Sequence, residues 1–114
     1  MIAVPESFAR ESPERQLGAL AASLARVASS ARRTTRVAVI PPMLMECIQF
    51  IEWTAPRVAP EVAEELVDLQ VMLGLWRGIW PEAQQHAAQR ALLSFQAKKW
   101  SDQVLRYSGL LDSR

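Results

Sequence analysis

The sequence predicts an all-α domain, an irregular four-helix bundle, and three observations carry that expectation. Ala is frequent while the 114-residue chain holds only four Gly, a balance that favours helix because Ala loses no rotamer entropy there and Gly loses the most backbone entropy. Apolar residues recur at helical spacing in four long stretches. Ser, Pro and Gly fall where helices start and stop. Half of the residues are hydrophobic and 22% are charged, an ordinary globular balance. The length suits one domain, read as 12–114, preceded by a flexible N-terminal arm over 1–11 that has one anchoring side chain, Phe8.

The first helix is expected over 13–32. Ser12 can cap it, Pro13 has the φ of a first helical position, and Glu14 suits the positive end of the helix dipole. Leu17, Leu20, Ala21, Leu24, Val27, Ala28 and Ala31 then share one face. Residues 34–40, Thr-Thr-Arg-Val-Ala-Val-Ile, are rich in β-branched side chains. They are expected to form an extended connector, or a short strand pairing across a dimer axis, closed by Pro41-Pro42.

A second, shorter helix is expected over 42–54, with Leu44, Cys47, Ile48 and Ile51 inward. The third, over 61–80, carries the seam Val62, Leu66, Leu69, Leu73, Trp76 and Trp80, spaced four-three-four-three-four. A second row, Val67, Val71, Met72, Leu75 and Ile79, makes its later half apolar nearly all round. Such a helix is either central in its bundle or covered by another chain; the expectation is that it is the centre. Gly74 and Gly78 are expected to let a neighbouring helix approach closely.

The fourth helix, over 82–108, has two stripes. One is Ala88, Ala91, Leu92 and Phe95; the other is Leu93, Ala97, Trp100, Val104, Tyr107 and Leu111. They diverge too far for one straight helix to bury both in a small bundle. The expectation is that the second stripe is covered by another copy, with Trp100, Val104, Tyr107, Leu111 and Ala97 as the interface and Trp100 as its anchor; the competing readings are that the helix kinks or that the N-terminal arm with Phe8 folds over this stripe. Gly109 can close the helix in a left-handed cap.

Chemistry is sparse. No phosphate-binding glycine loop is present, since Gly74 and Gly78 fit neither nucleotide spacing. His86 is the only histidine and Cys47 the only cysteine, where zinc sites and acid–base sites usually draw on more. His86 lies among glutamines and reads as a solvated surface residue; Cys47 reads as a small core hydrophobe. Glu61, Glu64, Glu65 and Asp68 lack the histidine of a di-metal helix and suit the start of a helix. No catalytic residue, cofactor or metal is expected.

The lone thiol and the absence of a leader pattern at the first residues point to the cytoplasm, and no apolar run is long enough for a membrane span. The net charge of +1 creates no strong field. The expected function is therefore a non-catalytic protein–protein interaction module, self-associating as a homodimer or serving as an adaptor or accessory subunit. The alternative is an accessory nucleic-acid-binding protein that uses Arg26, Arg32, Arg33 and Arg36 at the end of the first helix and Lys98 and Lys99 on the fourth. A weaker alternative is a small enzyme or a ligand pocket lined by Trp and Met.

Overall fold

The computed structural model describes residues 3–109, and they form an all-α fold. The short α1 spans Glu6–Ala9 and α2 spans Pro13–Ala31. A 3-10 segment, Thr34–Val39, leads into α3, Ile40–Thr54; a second, Ala55–Arg57, precedes α4, Pro60–Ala83. The last helix, α5, covers Ala87–Ser108.

The predicted caps form. The Ser12 hydroxyl accepts the Arg15 backbone N–H at 3.1 Å, with Pro13 at the head of α2. Gly109 ends α5 at φ 77°, a left-handed conformation that side chains with a Cβ adopt at a cost.

Residues 34–40 are neither strand nor extended connector. They wind into the 3-10 segment, and Pro41-Pro42 opens α3 instead of ending what precedes it. The first turn of a helix has no use for its N–H groups, so two prolines cost little there. Ile40 adopts helical angles (φ −64°, ψ −48°) despite the proline that follows it, and its side chain is wholly buried. The indole N–H of Trp80 donates to the Val37 carbonyl at 2.8 Å, tying this turn to α4. Tertiary contacts override the local β preference.

Pro81 does not stop the third predicted helix either. Helix α4 runs through it to Ala83, which is buried. Pro81 leaves the Arg77 carbonyl without its donor, one turn before the last turn of the helix.

The centre of the bundle is α2, not α4. Helix α2 packs against both α5 and α3, and α4 packs chiefly on α3, with little contact to α5. Ten of the 19 residues of α2 are buried, against six of the 24 in α4. The core joins Leu17, Leu20, Leu24 and Val27 to Ile40, Leu44 and Ile51, and to Leu66, Leu69, Leu73 and Trp80. The predicted core residues Leu20, Leu24, Leu66, Leu69 and Leu73 are all buried.

The α2–α5 contact is built from small residues. Ser94, Ala97, Ser101, Val104 and Ser108 repeat at three-four-three-four spacing and are all buried. The Ser94 hydroxyl donates to the Ala28 carbonyl at 2.7 Å, and Ser101 donates to the Ala21 carbonyl at 2.8 Å. Small side chains let the two backbones come close enough for these bonds.

The N-terminal arm is packed at Phe8. Its ring stacks on Phe50 at 4.9 Å between centroids and lies 5.4 Å from Trp53. Gln16 and Arg57 add bonds to arm carbonyls, from Gln16 Nε2 to Phe8 at 2.8 Å and from Arg57 to Glu11 at 2.9 Å.

Candidate protein interface

With α4 at the edge, its second apolar row has no cover among the described residues. Val67, Val71, Leu75 and Ile79 recur every four residues on the outward side and are about half exposed, Val71 at 59% and Leu75 at 58%. Met72 extends this surface toward α5, where Leu92 and Phe95, the latter 59% exposed, continue it. Between the two helices lies an open groove of ≈ 310 Å³, lined by Met72, Leu92, Phe95, Gln96, Lys99 and Trp100. The Trp76 indole N–H, donating to Gln96 Oε1 at 2.8 Å, links the two helices.

Gly74 and Gly78 belong to the same outward side. A Cβ built on either meets no atom within 4 Å, so no helix among the described residues takes the close approach expected of them.

The two stripes of α5 are therefore arranged opposite to expectation. The stripe expected to pack within the chain, with Ala88, Leu92 and Phe95, is the exposed one. The stripe expected to meet another copy is turned largely inward: Ala97 and Val104 are buried against α2 and unavailable to a second chain. Trp100 is partly buried, packed on the core and facing the α4–α5 groove. Tyr107 is partly buried, and its hydroxyl bonds to the Glu65 carboxylate, which also accepts from Gln103 Nε2 at 2.6 Å. Leu111 lies outside the described residues. No kink is needed. The serine-rich seam turns α5 so that one straight face meets α2 throughout.

The basic residues are partly neutralised at home. Arg26 pairs with Glu46 at 3.0 Å, and Lys98 with Asp102 at 2.8 Å. Arg32 Nε donates to Ser94 Oγ at 3.1 Å, and Lys99 sits 5.6 Å above the Phe95 ring. Arg33 and Arg36 are exposed beyond the end of α2.

Cys47 lies in the α2–α3 core, and burial, seconded by the nearby Glu46 charge, pushes its thiol up to about 12. His86 is exposed on the α4–α5 connection, 3.1 Å from Glu82. The two are on different elements and in opposite environments. Among the described residues, no three His, Cys, Asp or Glu side chains gather as metal ligands, and no helix is long and apolar enough to cross a membrane.

Comparison with protein families, curated proteins and solved structures finds no match to this chain.

Proposed function

We propose that this chain is a non-catalytic protein-interaction module whose docking surface is the outward side of α4 continued over Leu92 and Phe95 of α5. The observation that carries this reading is the contiguity of seven half-exposed large apolar side chains: Val67, Val71, Met72, Leu75, Ile79, Leu92 and Phe95. Together they expose on the order of 600 Å² of apolar area, the upper end of what soluble monomers carry, and such patches mark interaction sites. Lys99 and Gln96 rim the patch, as polar groups rim protein interfaces.

The nucleic-acid reading has less support. Arg26 and Lys98 already have carboxylate partners, and Phe95, the exposed ring beside Arg32, Lys98 and Lys99, is continuous with the apolar surface of α4. An enzymatic reading would need an activated group, and Cys47 is held protonated in the core.

The test compares two double variants in the native host. Leu75→Glu with Phe95→Glu should collapse the assembly that contains this protein to the size of the free chain, while the purified variant keeps its helical circular dichroism. Arg33→Glu with Arg36→Glu should leave the assembly intact. The reverse pattern, or an assembly dispersed by nuclease, would replace this reading with the nucleic-acid one.

A further inference from the structure

We infer that the occupant of this surface is a second copy of the same chain, docked through antiparallel α4 helices across a two-fold axis. The inference rests on the docking-surface reading above and goes further by naming the partner and its register.

The first argument is area. Fully covered, two patches of on the order of 600 Å² each reach about 1,200 Å², the lower bound for specific, stable interfaces; the α4 row alone covers less, so the contact is a weak, reversible one. A two-fold dimer lets one patch supply both halves of that total.

The second argument is shape. A two-fold contact must be complementary to itself, and the outward stripe of α4 is. Val67, Val71, Gly74, Leu75 and Gly78 lie within an arc of about 100° at 3.6 residues per turn. Both valines come first and both glycines last. An axis passing midway between Met72 and Leu73 sets Val71 against Gly74 of the second copy, and Val67 against its Gly78. Each half of the contact then places a side chain over a position where the backbone offers open space. Glycine in a helix interior costs stability relative to Ala. Two on one face, both with room for a Cβ and neither needing positive φ, serve no packing among the described residues. Close helix approach from outside gives them one.

The third argument concerns charge. Glu61, Glu64 and Asp68 occupy the exposed start of α4, and Glu82 its exposed end. The antiparallel register sets Asp68 level with Arg77 of the second copy and brings Glu64 near its Glu82, so attraction and repulsion at the rim offset each other and salt screens both. The dimer should therefore change little with salt, whereas phosphate binding would loosen.

The experiment uses the purified full chain. Light scattering should give twice the chain mass, with a dissociation constant that changes little as salt rises. Gly74→Ala and Val71→Glu should each weaken the dimer at least ~10-fold. Gly74→Ala is the sharper probe, because it should raise the stability of the single chain while harming the pair. Val71→Cys chains mixed with Gly74→Cys chains should form a disulfide-linked pair on mild oxidation. Ser29→Cys on α2 should not, and buried Cys47 does not compete. A wild-type chain that stays monomeric at millimolar concentration overturns the inference, as does a dimer indifferent to Gly74→Ala and Val71→Glu. A monomeric chain whose host assembly still collapses with Leu75→Glu and Phe95→Glu keeps the docking surface and removes the self-partner. A dimer without the 71–74 link overturns the register.

Discussion

Cys47 shows how burial decides what a residue can do. It occupies the inner face of α3, beside the shell in which Ser23, Arg26 and Glu46 bond to one another. Its thiol is raised from 9.0 to about 12, chiefly by loss of water and secondarily by the Glu46 charge. A raised pKa means that the folded chain keeps this proton after the unfolded chain has released it. Cys47 therefore stabilises the fold fully below the unfolded value of 9.0, and this stability is lost as pH rises from there toward about 12. Between those values the slope of stability against pH should be shallower in Cys47→Ala than in the wild type, even if the variant is weaker at neutral pH. Chemical denaturation across that range measures it. At neutral pH the folded thiol should also resist alkylation until the chain unfolds. Leu69 makes a simpler statement about packing. It is buried on the inner seam of α4, and Leu69→Ala should cost ~2–5 kcal/mol in urea denaturation. No cost would contradict the assignment of the inner face of α4.

At the scale of elements, the places of the helices were legible and some of their faces were not. Apolar periodicity, Ser12-Pro13 and Gly109 set the four long helices to within a few residues of their observed bounds. Residues 34–40 misled because β-branched propensity is a weak local preference. The Trp80–Val37 bond and the burial of Ile40 overcome it. Prolines 41 and 42 misled because the first turn of a helix has no use for its N–H groups, and Pro81 misled because α4 continues past it at the cost of one bond, to the Arg77 carbonyl. The divergence of the stripes on α5 was visible, but which stripe lay inside was not. Periodicity gives faces without saying which face has a neighbour. The deciding seam, Ser94, Ala97, Ser101, Val104 and Ser108, is small and largely polar, so a search for large apolar residues passes over it. Its pattern was nonetheless available in the spacing.

The same seam yields a test. Ala97→Leu should cost ~1–3 kcal/mol by forcing α5 away from α2. An unchanged melting temperature would return Ala97 to the outer surface. Ser101→Ala should cost about 1 kcal/mol, the net value of one hydrogen bond.

At the scale of the whole molecule, the packing order explains the unfinished surface. The central helix is α2, with α5 and α3 against it, and α4 rides on α3 at the edge. The sequence placed the four-three seam of α4 correctly but gave it the centre of the bundle, because a helix that is apolar all round satisfies either of two conditions. The structure excludes the first: α4 lies at the edge, and its far side has no cover among the described residues. The central claim is that another polypeptide covers it. A photo-crosslinking amino acid placed at Leu75, read in the native host against the same probe at Glu14, exposed at the start of α2, tests this most directly. Irradiation at Leu75 should give one or a few defined protein adducts, and irradiation at Glu14 should give none of comparable yield. A chain that crosslinks no protein from Leu75, or that crosslinks equally from both positions, would contradict the account.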